Sequence, residues 1–192
     1  MSLVPAFDIG IWNAWIFAAP FILANFIPVL ICRENYKKVS PDSVPPSKIK
    51  KNVDDPITGI FILSLIYSIF IPLKLGTAWF YTGLIISLIG IVLFIAAALI
   101  FFITPIDEPI TKGLYRYSRH PQYIAMPLMF IGMGIASASW VLLLIAIVFS
   151  LDLVFIRTAQ EERFCCDKYG DIYRTYMSRT PKWIGLPKAE AN

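Results

Sequence analysis

Long apolar runs separated by short polar segments make up most of this chain of 192 residues. A helix needs about 20 residues to cross the roughly 30 Å hydrocarbon core of a bilayer. Five runs approach or exceed that length and predict membrane spans at about Asp8 to Ile31, Ile57 to Leu73, Ala78 to Ile103, Pro121 to Ala136 and Trp140 to Ile156. Five apolar helices in so short a chain leave too little polar surface for a soluble domain. The pattern therefore predicts an all-α polytopic membrane protein, a single domain over residues 1–192.

The basic residues lie almost entirely on one side of these spans. Of the 17 Lys and Arg residues, 16 follow the first, third or fifth span, and only Lys74 falls on the other side. The positive-inside rule then predicts an external N-terminus and a cytoplasmic C-terminus. The net charge of +4 reflects this asymmetry, with some attraction to anionic headgroups, and does not indicate a nucleic-acid partner.

Two polar segments are predicted on the cytoplasmic side. The loop from Arg33 to Pro56 contains four prolines and mixed charge, which favours an extended connector. The tail from Thr158 onward is predicted to continue the last span as a helix, to break at Gly170 and then to resume.

The cysteines Cys32, Cys165 and Cys166 are expected to stay reduced in the cytoplasm. Their number and spacing do not suit a zinc site, so no metal is expected.

Ionisable and aromatic residues concentrate at the two ends of one predicted hairpin. The sequence GLYRYSRHPQY from Gly113 to Tyr123 opens span four, and Glu161 and Glu162 follow span five. Small residues between the spans, from Ser137 to Ser139, predict a tight turn. The hairpin therefore brings His120 and Tyr123 close to Arg157 and Glu161 at the cytoplasmic face, where we expect the active site.

The order of motifs in this region resembles a known family. An R-H-P-x-Y motif at Arg119 to Tyr123 follows G-L-Y, and the acidic pair Glu161 and Glu162 precedes Y-G-D-x-Y at Tyr169 to Tyr173. This combination, over about Asp107 to Pro187, resembles the membrane methyltransferases typified by isoprenylcysteine carboxyl methyltransferase and the phospholipid N-methyltransferases. The R-H-P-x-Y motif alone would also suit membrane sterol reductases, which use NADPH.

The resemblance implies S-adenosylmethionine as cofactor, with residues 107–187 as the cofactor-binding core. It also implies that Arg157 is the catalytic residue, facing the acceptor, and that the tail closes over the cofactor. The cofactor-binding residues implied by the resemblance are the backbone around Ile110, Tyr115, His120, Pro121, Gln122, Tyr123 and Glu161. Glu161 suits the sulfonium and ammonium groups of the cofactor, and His120 suits its carboxylate.

Each of these residues also has a structural interpretation. His120 can cap a helix or serve as an ordinary hydrogen-bonding residue, and Glu161 and Glu162 can pair with nearby basic side chains, Glu162 being the more structural of the two. Arg157 can extend towards the membrane surface without meeting a substrate.

Asp152 is not explained by the resemblance, because it lies inside an apolar span where an ionised acid is costly. It can be a packed acid that hydrogen-bonds a neighbouring helix, or it can bind a polar group of the acceptor. On a regular helix Asp152 and Arg157 lie about 140° apart around the axis and roughly 7.5 Å apart along it, which predicts that they do not address one small group.

The sequence thus predicts a membrane methyltransferase with a lipid-like acceptor that enters from the bilayer. The first candidate acceptor is the carboxylate of an isoprenylcysteine, and the second is the amine of a phospholipid. An NADPH-dependent sterol-type reductase and a non-catalytic membrane scaffold are the alternatives from other classes.

Overall fold

The computed structural model describes residues 7–31, 48–105 and 107–187 of the chain. The described residues form seven α-helices, and the only β pairing in these ranges is an isolated bridge between Asn13 and Pro72. The all-α prediction is therefore confirmed for this part of the chain. The helices are α1 Trp15–Ile31, α2 Lys48–Tyr67, α3 Ala78–Ile103, α4 Pro121–Ala136, α5 Trp140–Asp152, α6 Thr158–Tyr169 and α7 Asp171–Arg179.

Two helices are long and apolar enough to cross a membrane by length and composition, Ala78–Ile103 and the continuous stretch Trp140–Tyr169. The other apolar helices are shorter, at Trp15–Ala24, Pro56–Phe70 and Pro121–Ala136. The number of five spans therefore stays a prediction.

The bounds of α3 and α4 agree with the predicted spans. The Thr77 side chain accepts a hydrogen bond from Phe80 N at the start of α3, and Pro121 occupies the first turn of α4, where its missing N–H costs nothing.

The predicted connector from Arg33 to Pro56 is wrong in its second half. Helix α2 begins at Lys48 and runs through Pro56, while residues 32–47 lie outside the described part of the chain. Hydropathy marks only the apolar part of a helix, so the polar turns before Pro56 gave no signal of their own.

The first span also begins later than predicted, at Trp15 instead of Asp8. The preceding segment is fixed by Asn13, whose Nδ2 donates to the carbonyl oxygens of Asp8 and Ile69, each at 2.6 Å. Leu73 N donates to Trp12 O at 3.0 Å, so this segment pairs with the chain that follows α2. A non-helical backbone is possible there because the chain satisfies its polar groups across the pair and not within a helix.

The five apolar helices meet in a cluster of phenylalanines, one from each of them. The rings of Phe61 and Phe149 stack with their centroids 3.9 Å apart, and Phe130 packs edge-on against Phe61 at 4.8 Å. Phe21 adds contacts to Phe94 and Phe130 at 5.3 and 5.2 Å. Aromatic pairs in these geometries add to the stabilisation from burial alone.

Helices α3 and α4 pack most closely of all, because glycines line their contact. A Cβ atom added to Gly83 would lie 2.7 Å from Ala136 Cα and closer still to Ala136 N and Gly132 O. Ser87 Oγ donates to Met129 O at 3.1 Å across the same contact. This packing, with the tight turn at Ser137 to Ser139, brings the start of α4 to the same end of the molecule as the end of α5.

Candidate functional site

The chain between α5 and α6 forms a π-helical turn, Leu153–Arg157. In a π turn the hydrogen bonds join residues i and i+5, so side chains five apart come together. Asp152 Oδ2 accepts a hydrogen bond from Arg157 Nε at 2.5 Å as a result. The predicted separation of about 140° between these two residues is therefore wrong, because the helix widens at this point.

Arg157 has a second partner on another helix. Its Nη2 donates to Thr58 Oγ1 of α2 at 2.8 Å, and its guanidinium carbon lies 5.9 Å from the centroid of the Phe149 ring. Arg157 is thus tied to α2 and α5 and does not simply extend from the end of the span.

His120 lies between the two glutamates of the acidic pair. Its Nε2 is 3.0 Å from Glu162 Oε1 in a hydrogen bond, and its Nδ1 is 3.3 Å from Glu161 Oε2 without hydrogen-bond geometry. The side chain is buried, at 1% exposure, and makes no capping hydrogen bond although it precedes α4. In the structure His120 therefore hydrogen-bonds Glu162 and does not cap α4.

The two glutamates have different surroundings. Glu162 lies near two cationic side chains and His120, with Arg119 Nη1 and His120 Nε2 each 3.0 Å from its Oε1 and Lys182 Nζ 4.0 Å from its Oε2. Glu161 instead lines a cavity and interacts with Tyr123. Neighbouring positions on a helix point about 100° apart, which is why one residue can face the cavity while the other joins the cationic cluster.

The cavity lies between the end of α3, the chain before α4, and the two C-terminal helices. It has about 40 Å³ of free volume in this conformation, and aromatic rings form most of its wall. Its lining residues are Phe101, Pro109, Ile110, Tyr115, Arg119, Glu161, Phe164, Cys165, Tyr169, Tyr173 and Tyr176. Arg119 Nε is buried and has no hydrogen-bond partner among the described residues.

The C-terminal tail covers this region through backbone pairing. Arg119 N donates to Pro181 O at 3.1 Å, and Gly185 N donates to Tyr117 O at 3.0 Å. The Tyr176 hydroxyl donates to Tyr115 O at 2.6 Å, which ties α7 to the chain before α4. We call residues 181–187 the strap.

The buried phenols of the cavity are neutral at physiological pH. Burial, reinforced by the negative charge of Glu161, holds the pKa of Tyr115 well above 10. Burial also raises the pKa of Tyr173 and of Tyr176, which face the same carboxylate. Their rings therefore offer neutral aromatic faces to a ligand.

The structure brings some of the predicted site residues together and leaves others apart. Ile110, Tyr115 and Glu161 line the cavity, whereas His120, Pro121, Gln122 and Tyr123 are not among its lining residues. Asp152 and Arg157 form a separate pair. Arg119 and Phe164 line the cavity without having been predicted as contacts. Tyr169, Tyr173 and Tyr176 also line it, and they belong to the tail that the resemblance implies closes over the cofactor.

We expect the contribution of His120 to stability to depend on pH. Burial lowers the pKa of His120, but the adjacent Glu161 and Glu162 outweigh that effect and raise it above 6.5. A group whose pKa is raised by folding stabilises the folded state below its unfolded value, and this contribution is lost as pH rises through the folded value. The difference in melting temperature between the native protein and His120→Gln should therefore be largest at acidic pH and decrease towards alkaline pH.

The variant Glu162→Gln provides the control for this titration. It removes one of the two carboxylates that raise the pKa of His120. In this background the melting-temperature difference caused by His120→Gln should therefore decrease at a lower pH. A difference in melting temperature that stays constant between about pH 6 and pH 9, a range that brackets the ordinary histidine value, would contradict the assignment.

Comparison with known proteins gives one family. The profile of the phospholipid methyltransferases matches residues 73–172, which is 100 of the 192 residues and includes α3 to α6. A search of curated proteins gives no significant match.

Proposed function

The chain belongs to the phospholipid methyltransferase family, and on this basis we propose that it uses S-adenosylmethionine to methylate a lipid-like acceptor. Family membership and the apolar helices together indicate a membrane methyltransferase. The observation that carries the cofactor proposal is the cavity, which is lined by one carboxylate, by several aromatic rings and by Arg119, whose Nε has no hydrogen-bond partner among the described residues.

The charged groups of the cavity suit the charged groups of the cofactor. S-adenosylmethionine carries an ammonium, a sulfonium and a carboxylate on its methionine portion. Glu161 would bind the cationic portion, and Arg119 Nε would donate to the carboxylate. The rings of Tyr115, Tyr173 and Tyr176 would pack against the adenine and stabilise the sulfonium through their faces.

The size of the cavity requires a movement of the tail. Ligand pockets of this class generally hold about 300 to 1,000 Å³, and the cavity has about 40 Å³. The wall that would move is α7 with the strap, which hydrogen bonds from Tyr176, to Pro181 and from Gly185 hold against the chain before α4 in this conformation. We propose that this tail opens to admit the cofactor and closes over it.

The cofactor supplies an activated methyl group, and the protein contributes binding, alignment and exclusion of water. Two acceptor classes suit Arg157 and Asp152. A carboxylate, such as that of an isoprenylcysteine, would be held by Arg157. A phospholipid amine has to lose a proton before it reacts. Asp152, which accepts a hydrogen bond from Arg157, would be the base that takes up this proton.

Calorimetry in detergent tests the cofactor. We expect S-adenosylmethionine and S-adenosylhomocysteine to bind the purified protein and NADPH not to bind. Binding of NADPH alone would favour a sterol-type reductase, and binding of none of the three would favour a non-catalytic membrane scaffold. Methyl transfer from labelled S-adenosylmethionine to prenylcysteine and phosphatidylethanolamine acceptors then tests the acceptor class.

We also propose that the site lies on the cytoplasmic side. Lys74, the only cation on the opposite side in the predicted topology, lies beside the α4–α5 turn, where its N donates to Ala136 O at 3.2 Å. Single cysteines at Leu75 and Ser178, both exposed, should label from opposite sides of intact cells in a background without native thiols. Leu75→Cys should label from outside, and labelling of both from one side would contradict the topology.

A further inference from the structure

The strap presents large apolar side chains to the surroundings of the protein. Ile184 is 79% exposed and Leu186 is 83% exposed, on either side of Gly185. Tyr117, whose carbonyl oxygen accepts the hydrogen bond from Gly185 N, is 48% exposed. We call Tyr117, Ile184 and Leu186 the apolar patch. Apolar side chains that are exposed together, among polar residues, mark interaction surfaces.

The apolar patch lies at the level where the apolar helices end. A Cβ atom added to Gly113 would collide with the side chain of Ile100, so the last turn of α3 touches the segment that leads to Tyr117. Pro121, the first residue of α4, follows shortly after Tyr117. The backbone at Tyr117 is therefore held between the ends of two apolar helices, the level at which a bilayer meets water.

Other residues of the strap face the site. The ring centroid of Trp183 lies 6.1 Å from that of His120, and Lys182 Nζ lies 4.0 Å from Glu162 Oε2. These contacts hold the strap on the protein. The side chains of the apolar patch are too exposed to contribute much to them, so their apolar character indicates a partner outside the fold.

More positive than negative charge lies on this side of the membrane in the predicted topology. It holds 16 of the 17 Lys and Arg residues, against 13 acidic residues in the whole chain. Arg116, next to Tyr117, and Arg179, at the end of α7, are exposed and belong to this excess. Asp107 and Glu108 are exposed acids of the same linker and offset part of it. Juxtamembrane cations attract anionic lipids, and tyrosine and tryptophan are enriched at the head-group level.

We propose that the apolar patch docks on the anionic surface of the surrounding bilayer, with Ile184 and Leu186 inserted below the head groups. The strap also belongs to the wall that closes the cavity. Docking therefore favours the closed conformation and retains the cofactor. The effect on the cofactor rests on the proposed function, whereas the docking does not.

Spin labels at single cysteines test the docking directly. The protein, without its native thiols, is placed in nanodiscs of phosphatidylcholine and phosphatidylglycerol and labelled at Leu186→Cys or, as the control, at Ser178→Cys, which is exposed on α7. Oxygen concentrates in the bilayer, and a nickel chelate stays in the water. We expect oxygen to relax the label at residue 186 more than nickel does, and the reverse at residue 178.

Two results of this measurement would overturn the docking. Stronger relaxation of the label at residue 186 by nickel would place the patch in water. An immobilised label at residue 186 that neither oxygen nor nickel reaches would mean that another protein surface, such as a second copy of the chain, covers the patch.

The affinity for S-adenosylhomocysteine then reports on closure. We expect the native protein to bind it about fivefold more tightly with phosphatidylglycerol in the nanodisc than without, the equivalent of about 1 kcal/mol from one basic residue near the charged surface. Ile184→Ser combined with Leu186→Ser should remove this difference, because the tail is then no longer held at the surface. Ile172→Ser is the matched control. Ile172 is 68% exposed on α7 but lies outside the patch, so the difference should persist.

The outcomes separate the docking from the proposed function. If S-adenosylhomocysteine binds in neither nanodisc, the proposed function fails, and the spin labels still decide whether the patch docks. If the label at residue 186 enters the bilayer but the affinity does not depend on lipid charge, the docking stands and its coupling to the cavity is overturned. Loss of all binding by the double serine variant would mean that the patch belongs to the ligand site, which would also overturn the coupling.

Discussion

Gly83→Ala is expected to destabilise the protein by at least about 3 kcal/mol, the upper part of the range for overpacked cores. The added methyl group would lie 2.7 Å from Ala136 Cα and closer still to Ala136 N and Gly132 O. All three are backbone atoms of α4 and of its end, so no side chain can turn aside to make room. Helices α3 and α4 would have to separate, and the start of α4, where His120 lies, would move with them.

Gly59→Ala is the matched control for this prediction. Gly59 lies in α2, and the methyl group that alanine adds there would have no atom within 4 Å of it outside the local backbone. Alanine favours a helix over glycine by roughly 0.5 to 1 kcal/mol, so this variant should be as stable as the native protein or slightly more so. Unfolding in detergent, followed by tryptophan fluorescence, measures both. Equal stability of the two variants would show that α3 and α4 do not pack through Gly83.

Glu161→Gln is expected to weaken the binding of S-adenosylhomocysteine about tenfold to hundredfold, which corresponds to roughly 1.4 to 2.8 kcal/mol. Glu161 is the one acidic side chain among the residues that line the cavity, so its charge is the available partner for the cationic portion of the ligand. Glutamine preserves the shape of the side chain and removes the charge. Calorimetry in detergent measures the change.

Glu162→Gln should have a smaller effect on the same affinity. Glu162 lies against Arg119, His120 and Lys182, so its loss changes the ligand site only through its neighbours. If the two variants bind S-adenosylhomocysteine equally well, the cavity at Glu161 is not the cofactor site. His120→Ala and Tyr123→Ala should also act indirectly, because neither residue lines the cavity.

The sequence was sufficient to predict the helices with sharp physical signals at their ends. Helix α3 coincides with an unbroken apolar run, and α4 with an apolar run that starts at a proline, so both were predicted with the observed bounds. Helices whose first turns are polar, such as α2, lack such a signal in the hydropathy. The all-α class and the contact between His120 and the acidic pair also follow from the pattern, because a short turn forces the ends of a hairpin together.

The chemistry of the site depended on details that periodicity does not contain. The π turn contains one more residue per turn than an α-helix, and this decides whether Asp152 and Arg157 point apart or form a pair. No residue type in Leu153–Arg157 marks that turn. The phenylalanine cluster likewise combines five helices that are distant in the sequence.

The sequence by itself determined the helical membrane class, the hairpin and the polar residues that it gathers, because these follow from local hydropathy, caps and turns. The tertiary structure alone decided which glutamate faces the cavity, how the tail tyrosines enclose it and that Arg157 is compensated by Asp152. The physical reason is that direction around a helix and contact between distant helices are set by packing, and packing is the joint result of the whole chain.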